Sequence, residues 1–205
     1  MSCLLSPPPF GDRRRVRIGL LGGSFNPAHA GHRHIGLEAL RRLDLDQVWW
    51  LVSPGNPLKA GHPMAPLAER MAQANRMARH PRMVPTGIED RLGTRYTIDT
   101  VRALTRRFPR VQFVWLMGAD NLAQFHRWRG WTALMEIVPV AVFDRPQYSC
   151  VTLWSRTARR YAPCRRPTRS AATLAGTGAP AWVFLPIRRH AASATAIRAG
   201  QAGSV

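Results

Sequence analysis

The stretch that most constrains the fold runs from Val16 to Leu43. Val16-Arg17-Ile18-Gly19-Leu20-Leu21 reads as a short buried strand, and Ile35, Ala39, Leu40 and Leu43 recur behind it at helical spacing. Between them stands Gly22-Gly23-Ser24-Phe25-Asn26-Pro27-Ala28-His29-Ala30-Gly31-His32. The chain therefore passes from strand through a Gly-rich turn into a helix that opens near Ala30 or Gly31. Two adjacent glycines admit close approach of a ligand and conformations that a Cβ would forbid. A helix N-terminus adds unpaired N–H groups and a partial positive charge, which suits phosphate. His29 and His32, three apart at that terminus, can face the same anion. The string is neither the GxGxxG fingerprint nor a Walker A loop, because no Gly-Lys-Ser/Thr follows.

Five more apolar runs read as strands: Gln47–Val52, Arg82–Ile88, Val111–Met117, Ile137–Phe143 and Ala181–Leu185. Pro85 assigns the second of these to an edge, and Val111–Met117 is apolar enough to be central. Leu67, Met71, Ala74 and Met77 form one helical stripe, and Val101, Leu104 and Phe108 another, with Thr97 expected as an N-cap. Strands alternating with helices predict an α/β fold with a doubly wound, mainly parallel sheet. The candidate sites all follow strand ends, where such folds bind ligands. They are residues 22–32, the loop 53–59 with Lys59, the segment 118–121 with Gly118 and Asp120, and 193–198 with Ser193, Thr195 and Arg198. Asp120 can cap a helix or hold ribose hydroxyls. Ser193 or Thr195 can act as an N-cap or cradle phosphate oxygens.

A chain of 205 residues fits one domain. Residues 1–15, with three successive prolines and Arg13-Arg14-Arg15, are expected as a flexible basic tail ahead of a single domain over 16–205. Within it, periodicity disappears from Ser155 to Pro180 among six arginines, which predicts a mobile basic loop at about 155–180. No apolar run approaches the ~18 residues that cross a bilayer, and the N-terminus lacks the apolar core of a secretory signal. Cys3, Cys150 and Cys164 have no metal-ligand spacing and read as reduced thiols of a cytoplasmic protein. Thirty Lys and Arg against 11 Asp and Glu give a net charge of +19, which attracts polyanions. Composition alone leaves nucleic acid and phosphorylated small molecules both open.

Four segments carry a resemblance. Gly23-x-Phe25-x-Pro27-x-His29-x-Gly31-His32 resembles the GxFxPxHxGH signature of the nucleotidyltransferase superfamily. Tyr96-Thr97-Ile98-Asp99-Thr100, Gly118-Ala119-Asp120-Asn121 leading to Trp128, and Ser193-Ala194-Thr195-Ala196-Ile197-Arg198 follow in that family's order. Together they make the chain similar to the bacterial nicotinate-nucleotide adenylyltransferases, with a Rossmann-like nucleotidyltransferase fold. The resemblance implies adenylyl transfer from ATP to nicotinate mononucleotide by direct in-line attack, a step of NAD biosynthesis. It implies that His29 and His32 stabilise the α-phosphate and that Arg198, with Ser193 and Thr195, holds the β- and γ-phosphates. Gly22, Gly23, Ser24, Phe25, Gly118 and Asp120 would complete the ATP site. Ser24, Lys59, Tyr96, Thr97 and Trp128 would receive the nicotinate nucleotide, Trp128 by stacking on the pyridine ring. Mg²⁺ would ride on the triphosphate rather than on protein side chains.

By the same reading, neither nucleic acid nor membrane is an expected partner, and a homodimer is compatible with the chain. Asn26 stands where many relatives carry Asp. Two alternatives remain at this stage. One is a sister enzyme with another phosphate acceptor, such as nicotinamide mononucleotide or phosphopantetheine. The other is a nucleic-acid-binding protein on this scaffold.

Overall fold

The computed structural model describes residues 7, 13–55, 64–144 and 152–187. Its strands are β1 (Arg17–Gly23), β2 (Gln47–Val52), β3 (Met83–Thr86), β4 (Gln112–Gly118), β5 (Val140–Phe143), β6 (Arg165–Arg166) and β7 (Trp182–Leu185). They form one sheet in the order β3-β2-β1-β4-β5-β7-β6, and every neighbouring pair is parallel. The helices are α1 (Ala30–Arg42), α2 (Leu67–Ala78), α3 (Ile88–Leu92), α4 (Thr97–Arg107), α5 (Ala119–Gln124), α6 (Trp131–Ile137) and α7 (Arg156–Arg160).

Strands buried on both faces are near-continuous apolar runs, and alternate residues enter opposite cores. Trp49 and Trp50 illustrate this. Trp49 joins Leu20 and Trp115 on the face covered by Ile98, Val101 and Leu104 of α4. Trp50 joins Leu21 and Leu116 on the face covered by Ile35 and Ala39 of α1 and Ala74 of α2. The doubly wound parallel sheet expected from the alternation is therefore present. β3 is an edge strand and contains Pro85, while β4 lies at the centre. From β1 the strand order runs outward through β2 to β3, then resumes on the other side of β1 at β4. The carboxyl ends of β1 and β4 thus flank a topological switch point, the usual position of a ligand crevice.

Some expectations change. Residue 88 opens α3 instead of ending β3, and Ile137 ends α6 instead of opening β5. Thr97 is not an N-cap: Tyr96 holds that position with extended backbone, and Thr97 is the first helical residue. The largest correction concerns 155–180, which folds. Ser155 caps α7 by accepting from the Ala158 N–H (3.3 Å), and 3₁₀ turns follow over Ala162–Cys164 and Thr168–Gly176. Thr157, Ala158, Tyr161, Ala171, Leu174 and Ala175 are buried. Two conditions hide this from a periodicity search. Half of these inward residues are alanines, and tight 3₁₀ turns do not repeat at 3.6 residues. The arginines lie outward, with the guanidinium carbons of Arg160 and Arg165 5.7 and 5.4 Å from the Trp131 and Trp182 ring centres.

Candidate active site

β1 carries Gly22 and Gly23 to the carboxyl edge of the sheet, paired with Leu51 and Val52 of β2. Neither glycine takes the left-handed conformation that the sequence suggested. That conformation falls instead on Phe25, at φ 48°. A non-glycine residue there costs on the order of 1–2 kcal/mol. Burial of the Phe25 ring, 1% exposed and stacked on Trp50 at 5.2 Å between centroids, offsets it. What requires glycine at position 22 is space, since a Cβ would stand 2.5 Å from the tip of the Trp115 ring. At Gly23 a Cβ would meet the Phe25 ring at 3.4 Å, an ordinary contact.

The chain then enters α1 through His29, which is 3% exposed. His29 is the N-cap, and its Nδ1 accepts the Gly31 N–H at 3.1 Å. His32, in the first turn, returns the bond: its Nδ1 accepts the His29 N–H at 3.2 Å. This is a capping box built from two histidines rather than Ser and Glu. The rings lie 3.8 Å apart between centroids. Because both Nδ1 atoms are acceptors, each neutral ring carries its proton on Nε2. The local fold thus produces two Nε2–H donors side by side, beside a helix N-terminus at the carboxyl edge of the sheet.

Across the switch point, β4 ends at Gly118, the N-cap of α5, and Asp120 lies in that helix's first turn rather than capping it. Trp115 connects this side to the glycine turn. Its ring tip faces Gly22, and Trp128 stands edge-on to it at 6.2 Å and 81°. Trp128 is half-buried, and the next residue, Arg129, places its guanidinium carbon 4.5 Å from the centre of the Tyr96 ring. Arg129 thereby links the Trp128 segment to the start of α4 at Tyr96-Thr97. Lys59, Ser193, Thr195 and Arg198 lie outside the described residues.

Two residues went unnoticed in the sequence. Glu89, in α3, is 8% exposed and accepts the Thr100 hydroxyl at 3.1 Å, while that hydroxyl also meets Thr94 Oγ1 at 2.9 Å. Burial pushes its carboxyl up to about 7, against a smaller lowering by the Thr100 hydrogen bond. Arg70, in α2, is 1% exposed, and burial lowers its guanidinium pKa. Among the described residues it donates to main-chain carbonyls alone, those of Ser24, Ser53, Pro54 and Ala65. Position 70 was readable: it lies three after Leu67 and four before Ala74, on the inward face of the stripe. Glu89 gave no such signal, because α3 is too short to show a period. Asn26 Oδ1 accepts the Ala65 N–H at 3.3 Å, a bond that Asp would also make.

Comparison with known proteins gives the family and the fold. A cytidylyltransferase-like family model matches residues 20–200. A protein of Cereibacter sphaeroides named "Probable nicotinate-nucleotide adenylyltransferase" is 57% identical over 182 residues, covering 89% of this chain and 96% of that one. A relative of the same name from a Caulobacter species is 55% identical over 186 residues, covering 91% and 98%. Among solved structures, the Plasmodium falciparum nicotinic acid mononucleotide adenylyltransferase complexed with NaAD superposes with a TM-score of 0.69. At 13% identity, over 90% of this chain and 83% of that one, it is a likeness of fold.

Proposed function

The chain belongs to the nicotinate-nucleotide adenylyltransferases of the cytidylyltransferase-like family, and from that premise we propose what its residues do. It transfers the adenylyl group of ATP to nicotinate mononucleotide. A phosphate oxygen of the acceptor attacks the α-phosphorus in line, the bond to the β-phosphate bridging oxygen breaks, and pyrophosphate leaves. Such a transfer needs positioning and charge stabilisation more than proton transfer. The observation that carries the reading is the reciprocal histidine cap, which sets two Nε2–H donors beside a helix N-terminus at the switch point. His29 and His32 stabilise charge on the α-phosphate as the pentavalent geometry forms. Gly22, Gly23, Ser24 and Phe25 line the ATP site with Gly118 and Asp120, and Arg198 with Ser193 and Thr195 holds the outer phosphates.

On the acceptor side, Trp128 stacks on the pyridine ring, main-chain N–H groups at Tyr96-Thr97 meet the nicotinate carboxylate, and Ser24 and Lys59 hold the nucleotide. Among the described residues no three His, Cys, Asp or Glu side chains come together. The donors at the turn suit phosphate oxygens, and a Mg²⁺ ion would come with the triphosphate, where it would supply charge neutralisation. Among the described residues no helix is long and apolar enough to cross a membrane.

The test is pyrophosphate release from ATP and Mg²⁺ with nicotinate or nicotinamide mononucleotide as acceptor. Release is expected with the nicotinate acceptor and should fall ~10²–10³-fold in His32→Ala. Release only with nicotinamide mononucleotide, or with phosphopantetheine, would move the protein to a sister activity.

A further inference from the structure

We propose that Arg70 is a positioning residue for the transfer step. Its buried guanidinium ties the turn after β1 to the turn after β2, and so fixes where the two histidine donors stand. The inference rests on the adenylyl-transfer reading above. Arg70 Nε donates to Ala65 O at 2.8 Å, one terminal nitrogen donates to Ser24 O at 2.7 Å and Ser53 O at 2.6 Å, and the other to Pro54 O at 3.3 Å. Four of the five guanidinium N–H groups are thereby used on carbonyls of three separate chain segments. Among the described residues no carboxylate pairs with it.

A buried cation satisfied by neutral carbonyls is a costly way to fill a core position, and an apolar side chain of similar volume often stabilises as well or better. A planar fork does something an apolar side chain cannot. It holds Ser24, Ser53, Pro54 and Ala65 in one fixed arrangement. Ser24 O is the last carbonyl before the left-handed Phe25, and the short stretch from there leads into His29. The same pre-α2 segment grips this stretch again, through the Ala65 N–H to Asn26 Oδ1. The Ser53 N–H to Gly23 O bond, 3.0 Å, continues the β1–β2 ladder into the clamp. The turn that presents the histidines is thus held from α2. Without the fork it is free to shift, and a displacement of about 1 Å at a reacting group costs about 10²-fold in rate. Arg70 touches main chain, so the loss should appear in kcat more than in KM.

The test compares Arg70→Lys and Arg70→Met with Leu174→Ala, a substitution in the buried Thr168–Gly176 segment away from the site. Kinetics are run at a temperature where circular dichroism shows every variant folded, with long-range ¹H–¹⁵N spectra of the imidazoles alongside. The expected result is a fall in kcat of about 10²-fold in both Arg70 variants, with KM for both substrates within about threefold of wild type. Leu174→Ala should keep the wild-type kcat in spite of its lowered Tm. The Nε2–H signature of His29 and His32 should be lost or split in Arg70→Met and intact in Leu174→Ala.

A kcat within about twofold of wild type in the Arg70 variants overturns the proposal, and so does an equal loss in Leu174→Ala. If Arg70→Met does not fold, Arg70→Lys decides alone, since it keeps the charge and loses the fork. If the wild-type protein transfers no adenylyl group, the activity reading fails. The imidazole spectra then decide the Arg70 link by themselves.

Discussion

Glu89 holds an ionisable group where the folded state disfavours its charge. Its carboxyl titrates near 7 in place of 4.5, so the folded chain binds that proton more tightly than the unfolded chain does. The contribution to stability is therefore greatest below pH 4.5, declines as pH rises through about 7, and is then flat. The full span is on the order of 3 kcal/mol. Glu89→Gln removes the ionisation while keeping an acceptor for Thr100. Its Tm should exceed wild type at pH 8 and come close to it at about pH 4, below the unfolded carboxyl's titration, and a shift of equal size at both pH values would show that Glu89 is not the titrating group. The histidine pair and Arg70 show what is legible at this scale. His29 and His32 could be chosen from the sequence because their spacing at a helix start is itself the chemical signal. Their bonded Nδ1 atoms could not, since cap geometry depends on backbone angles that no residue name states. Arg70 was hidden by its charge, which directs attention to solvent although its position in the stripe points inward.

The β1–turn–α1 unit shows how an element can be right in outline and different in cause. Strand, turn and helix all lie where the residues indicate, yet the glycines are not there for backbone freedom. Gly22 clears room for Trp115, and Gly23 faces only a tolerable contact with Phe25. Gly22→Ala should therefore destabilise by about 1–3 kcal/mol through overpacking. It should also lower turnover, because Trp115 would shift against Trp128. Gly23→Ala should cost stability less, so the two substitutions are separated by Tm before any assay is run. An equal loss of Tm in both would mean that the turn requires glycine for its backbone after all. α3 and α6 went unread for a related reason, with Ile88 and Ile137 given to the neighbouring strands: five and seven residues are too few to display a helical repeat.

At the scale of the whole molecule, the segment 155–180 is part of the sheet's support. The Trp182 indole N–H in β7 donates to Tyr161 O at 2.7 Å, and the Tyr161 hydroxyl donates in turn to Thr132 O at 3.3 Å. Trp182→Phe removes the indole donor and leaves Tyr161 O with the Cys164 N–H at 3.0 Å, so it should cost about 0.5–1.5 kcal/mol. Turnover at permissive temperature should be unchanged, because the contact lies away from the carboxyl ends of β1 and β4. A Tm equal to wild type would return the segment to the status of a loose loop. The doubly wound parallel sheet was legible, though not its strand order or β6, because buried parallel strands are apolar runs and little else. The arginine-rich stretch was not, because its inward alanines look the same as linker. The two strands at the margins have one more consequence. β3 contains Pro85, which has no N–H to offer a neighbour, and β6 is only two residues long, with Arg165 and Arg166 both exposed. Neither border invites another strand, so the sheet resists growing across a subunit boundary. If two copies of this chain assemble, their contact must be made by helices and side chains rather than by a shared ladder.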